Sequence, residues 1–321
     1  MVNRSLNTPV LFLVFNRPST TAKVFDKIRQ AKPPRLYIAG DGARKGNKED
    51  KEKIIKVRKI ITKIDWPCEI KTLFRDKNLG CKKSVVSAIT WFFNHEEQGI
   101  ILEDDCVPNL VFFNFCEILL DRYADNEKVY LISGNNFQNG KWRGKASYYF
   151  SKYPHIWGWA TWRRAWSEYQ ANVPSWSNRK NSKEWLKLTP NKNERNYWYD
   201  IFKKIQSGKI DTWDYFWMAS IWDKCGLTAT PNVNLVSNIG FGEDSTHTKK
   251  KNSLESNVLT KSLGQIIHPS IIESNTDADN YDFEWTFGGR NLKFPRNLLF
   301  LPFRTFNYIL RNIYKFLKVN S

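Results

Sequence analysis

Residues Gly99 to Asp105 read GIILEDD, an apolar run that ends abruptly in three carboxylates. Ile100, Ile101 and Leu102 have the continuous apolar character of a buried central strand, so Glu103, Asp104 and Asp105 emerge together at its carboxyl end. In open α/β sheets that edge is where ligands bind. Three adjacent acids repel one another unless a cation or hydrogen-bond donors compensate them. The plain alternative is a strand that runs into a solvated acidic turn, and the surrounding sequence decides between the two.

Upstream, Pro9 to Phe15, Arg35 to Ala39 and Cys68 to Phe74 read as three more strands. Between them lie helical patterns: Ala22, Val24, Phe25 and Ile28 after Asn16-Arg17-Pro18, then Ile54 to Ile64 at near-helical spacing, then Cys81 to His95 after Asn78-Leu79-Gly80. This alternation is that of a doubly wound parallel sheet. Each strand ends in polar residues: Asn16 and Arg17, then Asp41 with Gly42, then Arg75 with Asn78 and Gly80. Side by side, they supply a hydrogen-bonding rim for base and ribose and a cation for phosphate; singly, each is an ordinary capped loop. Neither a GxGxxG turn nor a GxxxxGK[ST] loop follows the first strand, so a diphosphate needs another counter-charge, and paired aspartates that hold a divalent metal provide one.

Downstream, Asn109 to Tyr123 reads as a helix, and Val129 to Ser133 and Ser147 to Ser151 as strands. The segment WGWATWRRAW places Trp157, Trp159, Trp162 and Trp166 around Arg163 and Arg164. It reads either as packing or as indole faces and guanidinium donors for a sugar or diphosphate, with Gly158 marking a turn. Val173 to Asn196 is polar and reads as an excursion or a mobile helical loop. Asp211-Thr212-Trp213-Asp214 opens an aromatic helix, in which Asp214 is either a helix-terminus cap or a base in a partly desolvated site. Asn232 to Val236 reads as a late strand, followed by a Gly-rich loop that ends near His247 and is able to close over an anion.

Aromatic residues make up 15% of the 321 residues, with 14 Trp, which suits stacking on flat ligands, and the formal charge of +18 attracts anions. Nucleic acid, an anionic membrane and phosphorylated small molecules all qualify. Five cysteines without a CxxC pair indicate free thiols in a reducing compartment, and the four histidines lack metal-pair spacing. No apolar run approaches the roughly 18 residues of a spanning helix, and VLFLVF is too short for a secretory signal. The chain therefore reads as cytoplasmic. From Arg290 to Ser321 there are Lys and Arg but no Asp or Glu; as a helix after Pro302, this tail sets Phe303, Phe306, Ile309, Ile313 and Leu317 opposite Arg304, Arg311, Lys315 and Lys318. That is the pattern of a helix lying in a membrane interface, the alternative being a helix docked on the domain.

The opening VLFLVFNRP, RDKNLG before a helix, ILEDD, GWATWRRAW and TWDYFW together resemble GT-A-fold nucleotide-sugar glycosyltransferases, in particular the N-acetylglucosaminyltransferase I-like group, over roughly residues 8 to 248. The resemblance implies a Rossmann-like, mostly parallel central sheet flanked by helices. It divides the chain into a GT-A domain, residues 1–285, and the basic amphipathic tail, 286–321, with a nucleotide-binding half at 1–135 and an acceptor half at 136–285. It implies that Asp105 binds Mn²⁺ (or Mg²⁺) bridging the diphosphate and that Glu103 and Asp104 contact ribose or donor sugar. Asn16, Arg17, Asp41, Arg75, Asn78, Gly80, Trp159 and His247 would line the donor site. Asp214 would deprotonate the acceptor hydroxyl, giving inversion; Tyr215 stands where that family has a second acid, so Asp211 competes for the role. The expected partners are a UDP-sugar, a glycan or lipid-linked acceptor and an anionic membrane on the cytoplasmic face, not nucleic acid. The rival readings are a basic, aromatic-rich single-strand nucleic-acid binder and an inactive membrane-associated scaffold.

Overall fold

Along the first strand Val10, Phe12 and Val14 pack into one core and Leu11 and Leu13 into another, all of them buried. The same alternation recurs at Leu36 and Ile38 against Tyr37 and Ala39, and at Ile100 and Leu102 against Ile101. A strand apolar on both faces requires helices on both faces, which is why these runs carry no polar alternation.

The computed structural model describes residues 6–171, 182–240 and 258–293. In chain order its elements are β1 (Val10–Val14), α1 (Pro18–Ala31), β2 (Arg35–Gly40), α2 (Lys48–Ile61), β3 (Glu69–Phe74), α3 (Cys81–Phe93), β4 (Gln98–Glu103), β5 (Cys106–Pro108), α4 (Leu110–Arg122) and β6 (Val129–Ser133). There follow β7 (Tyr148–Ser151), β8 (Trp159–Trp162), α5 (Arg163–Trp166), α6 (Lys183–Leu188), α7 (Lys192–Gln206), α8 (Asp214–Asp223), β9 (Leu227–Pro231), β10 (Val236–Asn238) and α9 (Thr276–Trp285). Eight strands form one sheet in the order β3-β2-β1-β4-β8-β6-β9-β7. β3, β2, β1 and β4 run parallel, β8 is antiparallel to both β4 and β6, β9 is parallel to β6, and β7 closes the edge antiparallel. The architecture is thus α/β and Rossmann-like, with a mostly parallel central sheet. Helices α1, α2 and α4 bury Val24, Val57 and Leu119 against one face, while α3, α7 and α8 bury Phe92, Trp198 and Trp217 against the other.

Because the chain goes from β1 outward to β3 and then returns to place β4 on the other side of β1, the β1/β4 boundary is a topological switch point, where the loops diverge and leave a crevice. Register puts Leu13 opposite Glu103 and Ile101 opposite Trp159, so Arg17, the acidic triplet and the turn before β8 all fall at one sheet edge. β5 pairs with β10, Cys106 opposite Asn238, and this ribbon fixes the backbone just after the acids.

The described part of the polar 173–196 segment takes the helical form of that reading, holding α6 and the start of α7, with Trp185 and Trp198 packed into the core. The late strand expected at Asn232 to Val236 is instead β9, earlier, plus the short β10. Of the basic tail, residues 294–321 lie outside the described residues. Among those residues, no helix is long and apolar enough to cross a membrane.

Gly158 holds the turn into β8 at φ 74°, and a Cβ there would meet Val236 Cγ2 at 2.8 Å and Leu102 Cδ2 at 3.2 Å. Gly158→Ala should therefore lose about 1–3 kcal/mol of stability, read as a lower urea midpoint at unchanged slope.

Candidate functional site

The Arg17 side chain sits at the switch point between two acids: Nη1 lies 2.5 Å from Asp105 Oδ2 and 3.3 Å from Asp104 Oδ1. Local sequence puts it there. Pro18 starts α1 with the φ a first helical turn requires, and the Arg17 carbonyl accepts from the Thr21 amide and hydroxyl, so the Arg17 side chain is left at the end of β1. Asp104 Oδ2 accepts from the Phe15 amide at 3.1 Å. The Asp105 carbonyl accepts from the Ile239 amide, and a Cβ on Gly240 would come within 2.0 Å of Asp105 Oδ2. Only glycine fits at 240 with Asp105 in this position.

Glu103 and Asp105 form part of the floor of a cleft of about 690 Å³. Burial, and then the Asp105 and Asp104 charges, push the Glu103 carboxyl up to about 8, against the opposing pull of Arg17. Burial and the Asp105 charge push Asp104 up to about 7. The donors gathered here are carboxyl oxygens, the set a hard divalent cation takes, and a bound cation would favour their ionised forms. These residues therefore fit such an ion. Among the described residues, no group of three or more His, Cys, Asp or Glu side chains forms a self-sufficient metal cage. One protein carboxylate with a diphosphate is an arrangement that needs none.

Asp214 enters the same cleft at the first turn of α8. Its Oδ1 accepts from the Thr212 hydroxyl and from the Tyr215 amide at 2.9 Å. Its charge is felt by Glu103 and by Cys81, whose thiol is pushed up to about 12 by burial first and by Glu103 and Asp214 next, so that it stays protonated. Asp211 also lines the cleft but is exposed.

The other expected site residues are placed less uniformly. Asp41 accepts from the amides of Gly42, Leu79 and Gly80 at 2.9 to 3.1 Å, and Asn78 donates to the Gly42 carbonyl at 2.8 Å, so these residues lock the end of β2 to the start of α3. Arg75 donates to Ser87 through Nη2 at 2.6 Å, while its Nη1 is buried without a partner. Asn16 donates to Asp50 at 2.8 Å, within an Arg44–Asp50 pair, and so points away from the acids. Asp104 uses both oxygens on Arg17 and Phe15 and holds the guanidinium rather than facing a donor sugar. Trp159 is fully buried and stacks on Trp213 with centroids 6.0 Å apart; the core, not the cleft, claims it. Arg163 donates to the carbonyls of Phe93 and Glu96, and Arg164 to those of Tyr123, Ala124 and Val129, so both are engaged by backbone carbonyls at and after the ends of α3 and α4. His247 lies outside the described residues.

Trp157, Trp213, Phe137 and His155 also reach the cleft, and sequence reasoning did not single out the last two. Their only signal was position: Phe137 follows β6, and His155 precedes the Gly158 turn, both at the ligand edge of the sheet.

No protein-family model matches the chain, and no curated protein matches it. Among solved structures it is similar to HddC from Yersinia pseudotuberculosis, at 9% identity and TM-score 0.30, over 49% of this chain and 77% of that one. It is also similar to a 4-diphosphocytidyl-2C-methyl-D-erythritol synthase from Anaerococcus prevotii, at 8% identity and TM-score 0.36, over 70% and 88% of the two chains. The inositol-1-phosphate CTP transferase of T. maritima shares 9% identity at TM-score 0.34, over 70% and 85%. Likeness at this level leaves the function to be argued from this chain's own residues.

The raised acids give stability a definite pH dependence. Glu103, Asp104 and the buried Asp279, itself pushed up to about 7 by burial, stay protonated in the folded chain where the unfolded chain has released those protons. Folding takes up protons, so stability should fall as pH rises from about 5 to about 8 and level off above that. Glu103→Gln should flatten the slope, as measured by urea unfolding across that range without divalent metal.

Proposed function

We propose that this protein is a metal-dependent, inverting glycosyltransferase of the GT-A type. It would move a sugar from a nucleotide-diphosphate sugar, UDP favoured, to a glycan or lipid-linked acceptor in cell-envelope polysaccharide synthesis. The observation that carries this reading is the Arg17–Asp104–Asp105 constellation at the sheet's switch point, sharing one cleft with Asp214.

Each residue has a chemical task in this reading. Arg17 offers a phosphate a guanidinium already aimed by two acids, and Glu103, on the cleft floor, takes the ribose or donor-sugar hydroxyls. Asp105 is the ligand for a Mn²⁺ or Mg²⁺ ion that, when bound with the diphosphate, offsets the charge growing on the leaving group. Arg75, whose Nη1 has no partner among the described residues, Asp41, Asn78 and Gly80 would shape the nucleotide rim, to which His247 would contribute. Asp214 has one oxygen engaged by Thr212 and Tyr215, which fixes the carboxylate so that the other oxygen can take the acceptor's proton. Attack on the anomeric carbon from the face opposite the diphosphate inverts the configuration. The basic amphipathic tail would hold the enzyme to the anionic cytoplasmic face of a membrane, where a lipid-linked acceptor lies.

Release of UDP from UDP-sugars, with water standing in for the acceptor, tests the assignment. Asp105→Ala should abolish the Mn²⁺-dependent rate. Asp214→Asn should lower turnover by about 10²- to 10⁴-fold with donor affinity nearly unchanged. Wild-type rates in Asp105→Ala would sink the metal assignment, and a loss in Asp211→Asn in place of Asp214→Asn would move the base there.

A further inference from the structure

Away from the acids, the cleft has a second wall on which the rings of Phe137, Trp157 and Phe287 gather around His155. His155 is nearly buried, with Phe137 edge-on at 4.7 Å and Phe287 lying parallel at 6.3 Å, 11° between planes. Trp157 packs edge-on against Phe137 at 5.2 Å. All four residues line the cleft. The backbone beneath them is pinned from the end of β6: the Ser133 hydroxyl donates to the His155 carbonyl at 2.8 Å, and Asn135 Oδ1 accepts from the Trp157 amide at 2.8 Å.

The histidine is oriented from behind. Its Nε2 lies 3.0 Å from Asp282 Oδ2, a carboxylate with no solvent exposure, and Asp282 Oδ1 accepts from Gln138 Nε2 at 2.7 Å. Gln138 is oriented in turn by Arg143, whose Nε donates to Gln138 Oε1 at 2.8 Å. Asp282 accepts from both neighbours, so in the neutral ring the proton sits on Nε2 and Nδ1 presents a lone pair. Nδ1 has no hydrogen-bond partner among the described residues.

We propose that His155, Phe137, Trp157 and Phe287 form an acceptor subsite for the ring of a neutral sugar, one of whose hydroxyls donates to His155 Nδ1. The proposal rests on the glycosyltransferase reading and narrows its acceptor. Flat apolar faces match the C–H faces of a pyranose, and a single fixed acceptor atom selects a hydroxyl that donates. A phosphate acceptor would turn its own lone pairs toward that nitrogen and toward the acidic floor. His155 therefore holds the acceptor sugar, and Asp214 takes its proton.

The test uses the full chain with UDP and Mn²⁺. Saturation-transfer NMR reads the binding of methyl glycosides of glucose, galactose and N-acetylglucosamine to the wild type and to His155→Phe, His155→Asn and Phe287→Leu. A thermal shift with UDP reports in parallel on the fold and the nucleotide site. At least one glycoside should bind the wild type; His155→Phe should weaken it about tenfold or more, and His155→Asn, which keeps an acceptor atom near Nδ1, should restore part of the affinity. Phe287→Leu leaves the His155–Asp282 pair intact and should also weaken the glycoside, so the proposal stays testable if His155→Phe does not fold. Glycoside binding unchanged in both His155→Phe and Phe287→Leu, with the UDP shift retained, overturns the subsite, as does a wild type that binds UDP but no glycoside. A wild type with no UDP response overturns the parent reading instead. With an acceptor identified, His155→Asn should raise its KM and spare kcat; a loss confined to kcat would contradict the binding role.

Discussion

The Arg17 guanidinium lies between Asp104 and Asp105 where β1 and β4 end side by side, in contact with both, and its charge is also felt by Glu103. Protein atoms surround this group closely enough to push Glu103 and Asp104 toward neutrality, so losing the cation would leave charge that burial cannot tolerate. Everything near it follows that constraint. The parallel β1/β4 pairing brings the two strand ends together, Pro18 and Thr21 aim the arginine, and the β5–β10 ribbon with Gly240 holds Asp105 in place. Carboxyls pushed toward neutrality in a cleft at a sheet's switch point are costly to ionise until a cation joins them.

The opposite side of the cleft is built differently. Trp159, Trp166, Trp198, Trp213, Trp217 and Trp222 fill the core beneath α7 and α8, so the tryptophan richness is mainly structural. Buried polar pairs tie that core to the sheet edge: Lys152 with Glu194 at 2.7 Å, and Ser151 with Asp279 at 2.6 Å. They anchor α7 and α9, and α9 carries Asp282, which orients His155. The aromatic core thus serves as the base on which the His155 wall of the cleft stands, while the acids stand on the parallel half of the sheet.

The parallel half was legible in the sequence because its strands are apolar on both faces and end in abrupt polar turns; GIILEDD and VLFLVFNRP show both signals. Asp214 stood out as a charge within an aromatic run, and the first turn of α8 places it at the cleft. The roles of Trp159, Arg163 and Arg164 were not, because the same residues that suit a ligand also suit a core and the carbonyl ends of α3 and α4. Polar composition hid the length and packing of α7, whose buried face carries Trp198, Phe202 and Ile205. His155 and Asp282 lie far apart in sequence and meet only through tertiary packing, so no local pattern announced them.

The central claim is that the acid cluster accepts a nucleotide diphosphate only together with a divalent cation. A thermal-shift panel of nucleotide sugars, each with and without Mn²⁺, tests it most directly, since a ligand of the folded state raises the midpoint by mass action. The account predicts that one donor class, UDP-sugars foremost, stabilises the protein strongly with Mn²⁺ and weakly without it. Equal shifts with and without metal, or no shift with any nucleotide sugar, would contradict it.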